Sequence, residues 1–217
     1  FLKSLKVPII VSIAGTKAGE YACLAKILSN YKWVAGLELN ISCPNVRYKD
    51  KRQFAQDPKL TSQVVSQVRK VISKTIITKL SPNVSNIVPI ARAAAKAGSD
   101  VISVINTLIG MSINIHNYRP LLGNVIGGLS GPAIRPVALR MTYEAARSVK
   151  IPVIGMGGIT NADDALQFLI CGARAVEVGT ANFINPRVML EISRGMEHYL
   201  KDKKLIDIKQ IIGKLKI

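Results

Sequence analysis

Residues 151–159, IPVIGMGGI, and residues 175–183, AVEVGTANF, decide the fold class of this sequence. Each stretch is a short apolar run that ends in glycine-rich sequence, and a helical pattern at Ala162–Cys171 lies between them. Apolar runs of this length, rich in β-branched residues, are typical of parallel strands that are buried on both faces. We therefore predict two consecutive strand–helix units, with strands at Val153–Met156 and Ala175–Val178.

The same alternation extends back towards the start of the chain, which favours a parallel sheet with right-handed crossovers. The helix after the fifth strand has the clearest ends: Thr160 is the predicted N-cap, Asp163 follows three residues later, and Gly172 is the predicted stop. The other predicted strands are Val7–Ile13, Gly36–Asn40, Thr75–Leu80 and Asp100–Ile105. The other predicted helices are Gly19–Ser29, Leu60–Ser73, Val84–Ala97, Pro136–Ser148 and Pro186–Lys201.

These units predict an α/β fold, a TIM (β/α)8 barrel with about six of its eight βα units in this chain. A closed barrel needs eight strands, so residues 1–217 are interpreted as a single barrel domain that lacks the first two strands. An open doubly wound sheet would also accommodate six strands. The glycine-rich strand ends favour the barrel. A long irregular loop is predicted at Asn106–Arg135, where loops of this length are usually functional.

Composition and charge exclude several classes of protein. The hydrophobic content of 48% is too high for a disordered chain. The net charge of +17 comes from scattered residues without a nucleic-acid motif, so we expect no nucleic-acid partner. Polar residues interrupt the uncharged stretch Val101–His116, so no membrane span is expected. Three widely spaced cysteines favour a reducing, cytoplasmic location. Cys23 and Cys171 are interpreted as buried small residues, and His116 and His198 as surface or loop residues.

The glycines after the last two strands form the first candidate site, at Gly157, Gly158, Gly179 and Thr180. Glycine lets backbone N–H groups approach phosphate oxygens, and a helix N-terminus adds positive potential. Such glycines can also serve only as tight turns. Because they occur at the ends of two consecutive strands, where many barrels bind a phosphate, they favour a phosphate site.

Chemically active side chains follow three other predicted strands. Cys43 lies just beyond the second strand, in polar surroundings, where an ionised thiol can act as a base or a nucleophile. Lys79 ends the third strand and needs an anionic partner if it is buried, for which an electron-rich cofactor is expected. The alternative is that Lys79 lies on the outer rim of the barrel. Asn106 and Thr107 follow the fourth strand and can form hydrogen bonds to a polar planar ligand.

Taken together, these motifs resemble class 1 dihydroorotate dehydrogenases, from Pro8 onward. The segments are ELNISCPN, TKLSPNV, SVINT, GGLSGPAIRPVALRM, IPVIGMGGI and VEVGTANF. The resemblance implies an FMN-carrying barrel that oxidises (S)-dihydroorotate to orotate in pyrimidine (UMP) biosynthesis. The segment GGLSGPAIRP resembles the B-type. This implies a homodimer paired with an iron–sulfur flavoprotein subunit, which carries FAD and a 2Fe–2S cluster and reduces NAD.

The resemblance also implies a role for each matching residue. Cys43 is implied as the base that removes the C5 proton of dihydroorotate while a hydride passes from C6 to FMN. The implied cofactor contacts are Ser12, Asn40, Lys79, Ile105, Gly131, Gly157, Gly158, Gly179 and Thr180. The implied substrate contacts are Asn40, Asn45, Asn106 and Thr107. No metal site is expected.

Some features depart from the family pattern. Ser12 stands where many members have asparagine, and the loop from Val46 to Gln56 lacks the glycines that are usual in a mobile lid. The two missing strands would carry a lysine that grips flavin and orotate, so these residues alone are expected to be inactive. Two alternatives remain, a dihydropyrimidine dehydrogenase-like flavin oxidoreductase and a truncated barrel that acts only as a binding module.

Overall fold

A computed structural model describes Ser4, residues 6–43 and residues 53–217. The predictions for Asn45 and for most of the loop after Cys43 lie outside the described residues. Within the described part of the chain, no helix is both long enough and apolar enough to cross a membrane. The chain divides into two compact units, and each is described by itself.

The first unit comprises Phe1–Ser103 and Ser148–Pro152 and is built on four parallel strands. Each strand pairs with the next one along the chain, and the register sets Ser12 beside Glu38 and Lys79 beside Ser103. Most side chains of the two central strands are buried, as the apolar runs predicted. The strands are β1 (Ile9–Ile13), β2 (Val34–Asn40), β3 (Thr75–Lys79) and β4 (Val101–Val104).

Three helices of the first unit follow its strands, and their starts depend on local capping. The helix after β2 begins two residues earlier than predicted, because the Asp57 carboxylate accepts hydrogen bonds from the N–H groups of Lys59 and Leu60. The helix after β3 begins four residues later than predicted, at Val88, whose N–H donates to Asn86. The helices are α1 (Ala18–Ser29), α2 (Pro58–Arg69) and α3 (Val88–Lys96), with a 3-10 turn at Phe54–Gln56.

The second unit comprises Val104–Arg147 and Val153–Ile217 and opens with two small antiparallel ladders. The prediction of an irregular loop at Asn106–Arg135 was therefore wrong. Gly128 allows close packing here, since a Cβ on it would lie 2.3 Å from Thr107 Oγ1. The paired strands are β5 (Leu108–Met111) with β8 (Ile126–Leu129), and β6 (Ile113–Asn114) with β7 (Arg119–Pro120).

The rest of the second unit returns to the strand–helix alternation, with β9 and β10 paired in parallel. The predicted N-cap Thr160 was wrong by one residue, because Asn161 Oδ1 accepts the bond from the N–H of Asp164 at 2.9 Å. Gly172, with φ of +115°, does follow the end of that helix, as predicted. The elements are α4 (Arg135–Ser148), β9 (Val153–Met156), α5 (Ala162–Ile170), β10 (Ala175–Glu177), α6 (Ala181–Ile184) and α7 (Val188–Asp202), with 3-10 turns at Pro132–Ile134 and Ile208–Gln210.

All six predicted parallel strands and all six predicted helices are thus present, with ends that differ by at most four residues. Four of the strands lie in the first unit and two in the second. A small apolar core in the second unit packs α5 against α7 and the C-terminal segment through Leu166, Leu169 and Ile211. In both units the strands end at the segments from which the candidate site residues come.

Candidate active site

In the first unit, Cys43 lies three residues beyond the end of β2, and its side chain is half-buried. The turn that leads to it is held firmly. Tyr21 donates a hydrogen bond to the backbone oxygen of Asn40 at 2.9 Å, and the buried Ser42 hydroxyl donates to Asn40 Oδ1 at 3.4 Å. The Ile41 carbonyl also accepts a bond from the N–H of Ala55. A thiol that is partly accessible and attached to a fixed turn is suited to exchange a proton with a bound ligand.

The other two cysteines differ from Cys43 and from each other. Cys23 is exposed on α1, so its interpretation as a buried residue was wrong. It lies inside a helix, but the sequence did not reveal which face of the helix it occupies. Cys171 caps the end of α5 and is half-buried, and this burial raises the pKa of its thiol. Neither lies at the end of a strand.

The anionic partner of Lys79 in the structure is a buried carboxylate, Glu38, where the sequence had favoured an electron-rich cofactor. Lys79 Nζ lies 3.3 Å from Glu38 Oε1, and the two side chains are 18% and 8% exposed. Lys79 is therefore not on an outer rim. Glu38 also accepts hydrogen bonds from Ser12 Oγ and from Ser103 Oγ, each at 3.1 Å. Each of these four polar side chains comes from a different strand.

Sequence reasoning missed Glu38, although a signal was available. Glu38 and Asn40 are two residues apart on β2, so they share one face of the strand. A carboxylate that faces the same way as a candidate ligand-binding amide, within an apolar run, is unusual and needs a partner. The structure thus groups Ser12 and Lys79 around a residue that was not predicted.

In the second unit, Asn106 and Thr107 bond to each other, with the Thr107 N–H 2.7 Å from Asn106 Oδ1. Both side chains are half-buried. Ile105, just before them, is buried, and its N–H donates to the carbonyl of Met156 at the end of β9. The segment after β4 is therefore fixed to the end of β9, just before Gly157.

Three loops of the second unit form what we call the glycine cradle: Ser130–Gly131, Gly157–Gly158 and Gly179–Thr180. Gly158 has φ of +75°, and a Cβ there would lie 2.7 Å from the carbonyl oxygen of Gly131. Gly157 has φ of +124°, and a Cβ there would lie 2.8 Å from that of Ala138. Thr180 Oγ1 donates to Ser130 Oγ at 2.8 Å. The Gly157–Gly158 loop can approach Gly131 this closely only because Gly158 has no side chain.

The third loop of the cradle is different, because nothing lies within 4 Å of the position that a Cβ on Gly179 would take. Gly179 and Thr180 are both exposed, just before α6. Ser130, which joins this loop to the first, was not predicted, since a lone serine in a glycine-rich segment gives no signal. In the described part of the chain, no group of three or more His, Cys, Asp or Glu residues could hold a metal. His116 and His198 are exposed, as predicted.

The sequence of this chain is similar to those of known proteins over nearly its whole length. The sequence model of the dihydroorotate dehydrogenase family matches residues 2–200. The chain is 51% identical over 215 residues to "Dihydroorotate dehydrogenase B (NAD(+)), catalytic subunit" of Geotalea uraniireducens, covering 99% of this chain and 70% of that protein. It is 50% identical over 217 residues to the protein of the same name from Thermoanaerobacter pseudethanolicus, covering 100% of this chain and 71% of that protein.

A solved structure resembles the chain over most of its length. The crystal structure of DHODH from Eimeria tenella in complex with ferulenol matches with a TM-score of 0.76 at 20% sequence identity. The match covers 91% of this chain and 57% of that one, so the chain spans less than two thirds of the solved protein. This likeness, together with the parallel strand–helix units, confirms the predicted barrel fold class.

Proposed function

The chain belongs to the dihydroorotate dehydrogenase family, and from this membership we propose that it is the catalytic part of an NAD-linked enzyme that oxidises (S)-dihydroorotate to orotate. The observation that carries the proposal is the 51% identity to a B-type catalytic subunit across 99% of the chain. The reaction belongs to pyrimidine (UMP) biosynthesis, and the proposed location is the cytoplasm, which the three unpaired cysteines favour.

The proposed cofactor is FMN, which when bound supplies the acceptor for the two electrons that leave the substrate. The glycine cradle supports this cofactor, because nothing lies within 4 Å of the position that a Cβ on Gly179 would take, and Gly157 and Gly158 have no side chains of their own to cover their backbone N–H groups. Backbone N–H groups of these residues and of Gly179 and Thr180 would hold the phosphate oxygens. Ile105 and Gly131 would line the cofactor within the same unit.

The contacts to the flavin ring and the proton chemistry are assigned by the family motifs. Ser12, Asn40 and Lys79 are assigned to the ring, with Lys79 kept in place by the carboxylate of Glu38. The Cys43 thiolate would take the proton from C5 of dihydroorotate as the hydride leaves C6, so that a C5–C6 double bond forms. Both bonds that break are C–H bonds, and both electrons of the C6–H bond leave with the hydride. This role for Cys43 is supported by its partial exposure and its fixed turn.

The proposed substrate contacts are amides and a hydroxyl at the ends of strands. Asn40, Asn106 and Thr107 offer donors and acceptors for the planar ring of orotate, and Asn45 is assigned by its position in the family motif. In line with the B-type name of the relatives, the proposed partner is an electron-transfer subunit that carries FAD and a 2Fe–2S cluster and reduces NAD. A homodimer of the catalytic subunit completes the proposal.

The cofactor part of the proposal is tested at Gly179, where a side chain has room. Gly179→Asp sets a negative charge beside the phosphate without a steric clash, whereas Gly179→Ala adds only a methyl group. We expect FMN occupancy of the purified protein to fall about tenfold or more in Gly179→Asp, since like charges repel strongly at close range. We expect it to stay unchanged in Gly179→Ala. Gly158→Asp is less informative, because its side chain would also collide with Gly131.

The substrate part is tested by anaerobic addition of dihydroorotate to the wild-type protein at the full length of its relatives, of which this chain covers 70%. Loss of the visible flavin absorbance, with orotate as the product, is expected. Equal FMN occupancy in both Gly179 variants would contradict the phosphate assignment. An FMN-loaded protein that dihydroorotate does not bleach would contradict the proposed substrate.

A further inference from the structure

A buried carboxylate behind the glycine cradle links two of the loops that form it. Asp164 lies in the first turn of α5, and its side chain is 4% exposed. One carboxylate oxygen pairs with the guanidinium of Arg135. The other accepts hydrogen bonds from the N–H of Thr160 at 2.9 Å and from its hydroxyl at 2.8 Å. Thr160 lies two residues after Gly158, in the loop that leaves β9.

Arg135 belongs to the other side of the cradle. It begins α4 directly after the 3-10 turn at Pro132–Ile134, and the N–H of Ile134 donates to the carbonyl of Gly131 at 3.1 Å. A Cβ on Gly158 would lie 3.0 Å from Arg135 Cβ and 3.1 Å from its backbone nitrogen. Arg135 therefore follows Gly131 through a tight turn and packs directly against the loop that contains Gly158.

The carboxylate of Asp164 is not needed to cap its own helix. Asn161 already performs that role by accepting the bond from the N–H of Asp164. An acidic residue near a helix N-terminus is favourable, but within the described residues the donors to this carboxylate are Arg135 and Thr160, which both lie before α5. Hydrogen bonds between ionised groups are stronger than neutral ones, especially where water is largely excluded. The pair is thus built to fix the positions of the two loops.

We propose that Asp164 and Arg135 are positioning residues that hold the first two loops of the glycine cradle in the geometry that binds a phosphate. This inference rests on the proposed function and adds the residues that preorganise its phosphate site. Preorganisation raises affinity because loops that are already ordered lose less entropy on binding. The effect should concern the phosphate group alone, since neither residue is assigned to the flavin ring.

Riboflavin provides the discriminating probe, because it has the ring of FMN but no phosphate. The dissociation constants of FMN and riboflavin are measured by flavin fluorescence on the protein after its cofactor has been removed. Asp164→Asn keeps the shape of the side chain and removes its charge. We expect the Kd of FMN to rise about tenfold, the size of one lost charge-assisted hydrogen bond. The Kd of riboflavin should change less than about twofold.

Two further variants make the test secure. Arg135→Gln should produce the same selective loss, and it serves if Asp164→Asn does not fold, because Arg135 is 29% exposed. Arg135→Lys keeps the positive charge and should recover part of the FMN affinity. Arg140→Gln is the matched control, since it breaks an exposed pair with Glu144 on the same helix, and it should change neither constant.

The outcomes separate this inference from the function on which it rests. A wild-type protein that prefers FMN over riboflavin, with a preference that survives both Asp164→Asn and Arg135→Gln, overturns the inference alone. Equal weakening of FMN and riboflavin in these variants also overturns it, because the pair would then stabilise only the fold. A wild-type protein without preference for FMN overturns the phosphate site and the inference together.

Discussion

The ion pair between Glu38 and Lys79 allows a prediction whose size follows from the structure. Glu38→Gln keeps the length of the side chain but leaves the Lys79 ammonium without a counter-charge. The two side chains are only 8% and 18% exposed, so water cannot fully replace the lost partner. Breaking one side of a buried pair costs about 3–5 kcal/mol. Because Lys79 retains some access to water, we expect the lower value, about 3 kcal/mol of unfolding free energy.

The reverse substitution should cost less. Lys79→Met leaves the Glu38 carboxylate with the hydroxyls of Ser12 and Ser103 as donors, so we expect a loss of about 2 kcal/mol. The double variant Glu38→Gln/Lys79→Met removes both charges together and should lose about 3 kcal/mol rather than the sum. The coupling energy between the two residues is then about 2 kcal/mol, as expected for residues in direct contact.

The assay is urea unfolding followed by circular dichroism, carried out on the protein without its cofactor so that only the pair is measured. Arg140→Gln, in the exposed pair with Glu144, is the control and should cost less than about 0.5 kcal/mol. Additive losses in the double variant, within about 0.5 kcal/mol, would contradict a direct ion pair between the two side chains. Lys79 and Glu38 would then contribute independently.

Three further predictions concern single residues. Gly155→Ala should destabilise the protein by about 2 kcal/mol in the same unfolding assay, because its Cβ would lie 2.5 Å from Phe168 Cδ1. The control is Gly19→Ala in α1, whose Cβ would meet nothing within 4 Å, and which should stabilise the protein slightly. The hydrogen bond from the Thr16 N–H is the main cause that lowers the pKa of Glu20 below 4.5. The Tm difference between wild type and Glu20→Gln should therefore be present above that value and vanish as pH falls through the lowered pKa. A constant Tm difference down to low pH would contradict this prediction. Iodoacetamide should alkylate the exposed Cys23 faster than Cys171, whose pKa is raised by burial. Mass spectrometry of the peptides measures both rates, and faster alkylation of Cys171 would contradict this prediction.

The order of strands and helices could be predicted because it depends on local patterns. Apolar, β-branched runs such as Val153–Met156 form strands as predicted, although the side chains of this run alternate between buried and half-buried and those of Ala175–Glu177 are not buried. Helix ends with strong local signals, such as Gly172, were found. The pair Gly157–Gly158 also marked a loop that packs closely against Gly131. Each of these signals is complete within a few consecutive residues.

The features that were missed depend on contacts between distant parts of the chain. The β5–β8 ladder pairs residues that are about twenty positions apart in the sequence. Without knowledge of the strand opposite, its glycines indicate a loop. The role of the Glu38 carboxylate depends on its contacts with side chains on three other strands. By its sequence, Asp164 is an ordinary acidic residue in the first turn of a helix. Its ion-pair partner, Arg135, is 29 residues away in the sequence, so the pair could not be predicted from the local pattern. Exposure of Cys23 likewise depends on what its helix packs against.

The most direct test of the account is the rate at which dihydroorotate reduces the flavin in a stopped-flow experiment on Cys43→Ala. Because the C5 proton is assigned to this thiol, the rate should fall by about a hundredfold or more, the usual effect of losing a general base. Cys43→Ser should keep a little activity that increases at high pH. Cys23→Ala, the control at an exposed cysteine, should match the wild type. Reduction of Cys43→Ala at the wild-type rate would contradict the account and show that the base lies elsewhere.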